Sequence, residues 1–167
     1  MTLHTPLHTD IAALLPRLRR FARSLTFHRE DADDVVQIAL EKAMSRSEQW
    51  QPGTRLDSWM FRIIKNVWID EVRSRARREQ LFAPEEEGEM VGDDSAAAQQ
   101  QRLAIQKAMS LLSDDHRVVI GLVLVDGLPY KEAAAVLEIP LGTLMSRLAR
   151  AREALQGLLS DQARNMA

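Results

Sequence analysis

Arg147, Arg150 and Arg152 fall within about one and a half helical turns of one another, just after Pro140, Gly142 and Thr143. A guanidinium presents a rigid fork of donors that suits phosphate oxygens and the edges of bases. The residues from Leu128 to Arg152 read as a short helix, a tight turn and a longer basic helix. That geometry sets a recognition helix in the major groove of DNA. Ala133, Ala134 and Val136 to Ile139 supply small and apolar groups where the two helices must approach, Pro140 and Gly142 shape the turn, and Thr143 serves near the start of the second helix. The competing reading is a structural hairpin with a solvated basic face.

Other chemistry is poorly represented. No Gly-Lys-Ser/Thr phosphate loop and no His-Glu-x-x-His pair occurs, and His4, His8, His28 and His116 are scattered. Asp31, Asp33 and Asp34 suit the first turn of a helix better than a cation site. No catalytic residue, metal or cofactor is therefore expected. The chain has no cysteine, which removes disulfides and thiolate sites and fits a reducing cytoplasm. His4, His8 and Asp10 interrupt the N-terminus, so no signal peptide is expected. The longest apolar run, Val118 to Val125, is too short to span a bilayer, and no membrane insertion is expected.

The elements that position these residues read as helices throughout. Glycine (7) and proline (6) are sparse in the 167 residues, and apolar residues recur at helical spacing. The segment 85–94 holds six acidic groups and no basic one, so the remainder is net positive although the whole chain is −2. With Pro84 and two glycines, residues 82–100 read as an acidic flexible linker. It divides an all-α chain into two small helical domains, 1–81 and 101–167, each long enough to fold alone.

In the first domain a helix over Ile11 to Thr26 carries Leu14, Leu15, Leu18, Phe21, Ala22 and Leu25 on one side and Arg17, Arg19, Arg20 and Arg23 largely on the other. A second runs from Asp31 to Ser45, with Val35, Val36, Ala39, Leu40 and Ala43 as its apolar stripe. Pro52-Gly53 marks a turn, and a long helix follows over Leu56 to Glu79. In the second domain Ser113 caps a helix with Asp114 and Asp115 in its first turn, which stops at Asp126-Gly127.

Three runs in the second domain resemble the extracytoplasmic-function group of bacterial RNA polymerase sigma factors. Leu111 to Arg117 resembles their Leu-Pro-Pro-x-x-Arg helix start. Gly127 to Ala135 resembles Gly-Leu-Ser-Tyr-x-Glu-Ile-Ala, and Gly142 to Arg152 resembles Gly-Thr-Val-Lys-Ser-Arg-Leu-x-Arg-Ala-Arg. The resemblance implies that this domain binds the promoter −35 element, with Thr143, Ser146, Arg147 and Arg150 as its contacts. Two positions depart from the pattern. Met145 stands where the family usually has Lys or Arg, which removes a cation facing DNA. Glu138 stands where glycine commonly closes the first helix; a left-handed backbone there costs about 1 kcal/mol.

The first domain carries the same resemblance. Ala32 to Ala43 is similar to Ala-Glu-Asp-Leu-Val-Gln-Glu-x-Phe-Leu-x-Ala, whose polar face grips the β′ clamp of the polymerase. Asp34, Gln37 and Glu41 are spaced i, i+3, i+7 and share one helix face, a row of acceptors suited to arginine-rich helices. The alternative is a merely solvated face, and Ile38 replaces the customary acid. Trp59 to Arg75 resembles Trp-Leu-x-Arg-Ile-Ala-x-Asn-x-x-x-Asp-x-x-Arg, the element that reads and melts the −10 region. Stacking groups beside a basic helix can hold an unstacked base. The resemblance points to Trp50 and Asn66 for that role, with Arg62, Lys65, Asp70, Arg73 and Arg77 along the same helix. Trp59 and Trp68 read as core, and Asp70 with Arg73 also fits a simple i, i+3 ion pair. The partners implied are core RNA polymerase through its β′ clamp and β flap, promoter DNA and an anti-sigma factor. The rival readings are a sigma-mimicking adaptor that sequesters an anti-sigma factor, and a conventional helix-turn-helix regulator.

Overall fold

The computed structural model describes residues 5–79 and 95–165. Helix α1 spans Thr5–Thr26, α2 Arg29–Ser45 and α3 Leu56–Glu79; α4 spans Ala96–Leu111, α5 Asp114–Ile120, α6 Tyr130–Leu137 and α7 Leu141–Asn165. No strand occurs among the described residues, so the all-α expectation stands. The acidic run 85–94, the centre of the expected linker, lies outside them.

Helices α1–α3 form one unit. Leu18, Phe21, Ala22 and Leu25 repeat at i, i+3, i+4, i+7 and are buried, as are Val35, Val36 and Ala39 of α2 and Met60, Phe61, Ile64 and Val67 of α3. The Phe21 and Phe61 rings meet edge to face with centroids 5.2 Å apart. Trp68 is buried, as its place in the apolar stripe requires, and Trp59 packs against the core. Arg75 pairs with Asp31 at 2.8 Å and ties the far end of α3 to the start of α2. Helix α1 starts six residues before the expected Ile11.

Helices α4–α7 form the second unit. Helix α4 starts at Ala96, inside the expected linker, because the Ser95 hydroxyl accepts a hydrogen bond from the Ala98 amide at 3.4 Å and three alanines follow. Ser113 caps α5 by accepting from the His116 amide at 3.3 Å. The apolar run continues α5, but over Gly121–Val125 the helix widens to a π-turn, closed by the Asp126 amide donating to the Gly121 carbonyl at 3.0 Å.

The two units do not stand apart. Buried residues from α1 to α7 belong to one contiguous apolar cluster. Gly121 lies against α1 so closely that a Cβ there would come within 2.7 Å of the Ser24 Oγ and 3.0 Å of the Phe21 ring. Helix α6 rests on the first half of α3, where the Ser58 hydroxyl and the Glu132 carboxylate are 3.1 Å apart.

Candidate nucleic-acid interface

The face of α7 is built by its turn. Helix α6 ends at Glu138, whose backbone is left-handed (φ 57°, ψ 42°), and the Glu138 and Ile139 amides donate to the carbonyls of Ala135 and Ala134. The strained conformation expected for this residue is therefore present. Leu144, Leu148 and Ala151 are buried against the rest of the unit. Thr143, Ser146, Arg147 and Arg150 are spaced i, i+3, i+4, i+7, so they share one face. Thr143, Ser146 and Arg150 are exposed and Arg147 is half-buried. Met145, beside them, exposes an apolar side chain where a cation would strengthen attraction to phosphate.

A second candidate surface runs along α3. Arg62, Asn66, Asp70, Arg73 and Arg77 follow at i, i+4, i+8, i+11, i+15 and form one stripe, with Lys65 beside it. Asn66, Asp70, Arg73 and Arg77 are exposed, and the last three line a shallow concavity with Ala76. Asp70 and Arg73 do not form an ion pair among the described residues. At the start of the stripe Arg62 is engaged by the other unit. The Arg62 guanidinium donates to the Ala135 carbonyl at 2.8 Å and lies 3.7 Å from the Glu138 carboxylate. Burial pushes the Lys65 ammonium below its ordinary value, with Glu138 opposing that shift. Trp50 follows a 3₁₀ turn over Ser47–Gln49; its ring is half-buried, and its indole N–H is covered without a hydrogen-bond partner among the described residues.

The third surface is on α2. Asp34, Gln37 and Glu41 are all exposed on one face while Val35, Val36 and Ala39 turn inward. The three polar residues line a groove of about 540 Å³ with Ile38, Trp68 and Val72. Arg117 of α5 also reaches this groove. Its guanidinium donates to the carbonyls of Met109, Ser110 and Leu112, and to that of Leu25 in the other unit at 3.2 Å. It stands 4.8 Å from the Phe27 ring centroid and 5.5 Å from that of Trp68. These contacts hold Phe27 at φ 64°, a left-handed conformation costing about 1–2 kcal/mol for a residue with a Cβ.

The sequence does not reveal the ionic cluster at the seam, the contact between the two units. Arg17, expected on the outer side of the first helix, donates from Nε and Nη2 to the two oxygens of Asp126, at 3.0 and 2.9 Å, and from Nη2 to Asp57 at 3.1 Å. Arg55 makes a second forked contact with Asp57, at 3.1 and 2.7 Å. Burial opposes ionisation of Asp57, but hydrogen bonds from Arg55, Arg17 and the Ser58 amide hold its carboxyl below the usual range. The signal that was available is spacing. Position 17 follows Leu14 by three and precedes Phe21 by four, which puts it at the flank of the apolar stripe.

Residues 11–78 match the family described as Sigma-70 region 2, and residues 102–155 match Sigma-70, region 4. The chain is 33% identical over 159 residues to the ECF RNA polymerase sigma factor EcfG of Rhodopseudomonas palustris (strain TIE-1), covering 95% of this chain and 88% of that protein. Among solved structures, the sigma factor RpoE in complex with the anti-sigma factor NepR, from Bartonella quintana, superposes with a TM-score of 0.78 at 33% identity, over 93% of this chain and 97% of that chain. CnrH in complex with the cytosolic domain of CnrY superposes with a TM-score of 0.71 at 27% identity, over 92% of this chain and 87% of that chain.

Proposed function

The chain belongs to the extracytoplasmic-function sigma factors of bacterial RNA polymerase, and from that premise we propose how its surfaces divide the work of initiation. Asp34, Gln37 and Glu41 of α2 bind the β′ clamp of core polymerase. Thr143, Ser146, Arg147 and Arg150 of α7 contact the −35 element. Asn66, Asp70, Arg73 and Arg77, with Arg62, Lys65 and Trp50, contact and help to open the −10 region. The observation that carries this reading is the pairing of surfaces in one chain: an exposed row of acceptors on α2 and an exposed basic row on α7. Acceptors on one helix face suit cationic partner helices, and arginines on another suit phosphate and base edges. The polymerase supplies the chemistry of RNA synthesis; the sigma factor supplies position.

Control by an anti-sigma factor is supported by the two superposed relatives, each solved with such a partner or with a cytosolic domain bound. The likeness to RpoE extends over both units, so the side-by-side packing here is compatible with that kind of partner.

Binding of the purified chain to sigma-free core polymerase, in competition with a housekeeping sigma factor, tests the assignment. Competitive binding is expected, and Gln37→Ala should weaken it while the circular dichroism spectrum and melt stay unchanged. If folded Gln37→Ala protein binds core as well as the parent, the α2 face is not the clamp contact.

A further inference from the structure

A single exposed apolar side chain is ordinary, but α7 carries several in register. Leu141, Met145 and Ala149 follow at i, i+4, i+8 and are all exposed, Leu141 to 45% and Met145 to 51%. Beside them runs a second exposed row at the same spacing, Gly142, Ser146 and Arg150. The apolar row therefore borders the face assigned to the −35 element, away from Leu144, Leu148 and Ala151, which are buried. We propose that Met145 is a specificity-determining residue, which reads a thymine of the −35 element through its C5-methyl group in the major groove. The proposal rests on the assignment of α7 to that element.

The chemistry of the side chain selects the base. In the major groove the base edges present acceptors and amino donors, and thymine adds a methyl group. A lysine or arginine at this position would meet a phosphate or pair with guanine O6 and N7. A thioether has no proton to donate and accepts only weakly. Set against guanine, it would displace water from two acceptors and return no bond, which costs affinity. Set against a thymine methyl, it leaves no polar group unpaired and removes apolar surface of both partners from water. Its unbranched, flexible chain can follow the methyl group without strain.

Two further features of the same turn favour contact with a base edge. Gly142 lies in the first turn of α7, and a Cβ there would meet nothing within 4 Å. At Gly121 the neighbouring helix excludes a side chain; at Gly142 nothing among the described residues does. The bare backbone one turn before Met145 lowers the surface there and lets the helix sit deeper in a groove. The second feature is the placing of Arg150, whose Nε donates to the Ser146 carbonyl at 3.4 Å. The guanidinium thus lies back along the polar row, and α7 offers a polar and an apolar strip side by side.

Core polymerase reconstituted with the full-length chain selects its sites from a randomised duplex library. Each thymine of either strand in the selected −35 element is then replaced, one at a time, by deoxyuridine, which lacks only the methyl group. One replacement is expected to weaken binding by about threefold to fivefold, the loss of one buried methyl. Met145→Leu, which stays apolar, should keep that penalty. Met145→Lys should abolish it and steepen the salt dependence of binding by about one. A selected element without thymine, no penalty at any thymine in the parent, or an equal penalty in Met145→Lys overturns the methyl contact. Arg147→Ala, checked for folding by circular dichroism, separates that failure from failure of the α7 assignment. If Arg147→Ala weakens binding and the parent shows no deoxyuridine penalty, the −35 assignment stands and only the methyl contact falls. Site-selective binding that folded Arg147→Ala leaves unchanged, or no site-selective binding at all, overturns both.

Discussion

The two surfaces proposed to contact DNA are in different states. On α7, Thr143, Ser146 and Arg150 lie open, and the buried residues Leu144, Leu148 and Ala151 point the other way. On α3, Asn66, Asp70, Arg73 and Arg77 lie open, while Arg62 at the head of the stripe donates to the Ala135 carbonyl of α6 and Lys65 beside it is half-buried. Under the proposed assignment, the −35 surface is open in this arrangement, whereas one cation of the −10 surface is engaged by the other unit.

The largest expected effect on this arrangement comes from Phe21→Ala. The ring is fully buried, meets Phe61 edge to face and backs the Gly121 contact, so it supports both the first unit and the seam. Its loss should cost about 3–5 kcal/mol of stability, read by urea denaturation followed by far-UV circular dichroism. A cost below about 1 kcal/mol would mean that the site collapses without a cavity, and that the seam does not depend on the ring.

Arg147→Ala acts on the open surface alone. It should weaken promoter binding by about 1–3 kcal/mol if the guanidinium reads a base, or lower the salt slope by about one if it meets a phosphate. Titration of promoter DNA at several salt concentrations decides between them. Unchanged binding and unchanged transcription from the protein's own promoter would remove α7 as the recognition helix.

Acid should act on the seam in the opposite pattern. The Asp57 carboxyl is held below its ordinary value of about 3.9 by its arginine and amide donors, despite burial. A depressed carboxylate contributes stability that is complete above the unfolded value and is lost as pH falls through the folded one. The chain has no cysteine, so Ser45→Cys on α2 and Ser160→Cys on α7, both exposed, can carry a dye pair, and energy transfer between them across the seam should be flat from about pH 8 to 5 and decline below about pH 4. In Asp57→Asn this component of the acid transition should disappear. An acid transition identical in Asp57→Asn and the parent would show that Asp57 takes no part in it.

What was legible in the sequence follows from the range of the interactions involved. Helical periodicity is local, so the stripes of α1, α2 and α3 and the end of α3 at Glu79 are readable. The Ser113 cap is readable because its acceptor and donor are three residues apart. The left-handed Glu138 is readable because a tight turn needs one such residue. The Arg17–Asp126 fork is not readable, since its partners are far apart in the chain and each looks like an ordinary polar residue at the edge of a helix. The π-turn is likewise invisible, because an apolar run fits either kind of helix. The face residues Asp34, Gln37 and Glu41 are readable as a set; the bond of Arg62 to the Ala135 carbonyl depends on where the other unit lies.

The smallest effect is the most discriminating one for the seam, and it concerns Glu138. Replacing it with glycine does two opposed things. The left-handed backbone at φ 57° no longer carries a Cβ, which should stabilise the turn by about 1 kcal/mol. The carboxylate near Arg62 is lost, but the two side chains are 68% and 40% exposed and 3.7 Å apart, so the pair contributes little, about 0–1 kcal/mol. Glu138→Gly should therefore raise the melting temperature slightly while releasing Arg62 from its carboxylate. If the melting temperature rises and energy transfer across the seam falls by a small amount, the residue is kept for the seam at the expense of the turn. If the melting temperature falls instead, Glu138 contributes more through Arg62 than its exposure allows, and the seam is held at α6 more firmly than at the Arg17 fork.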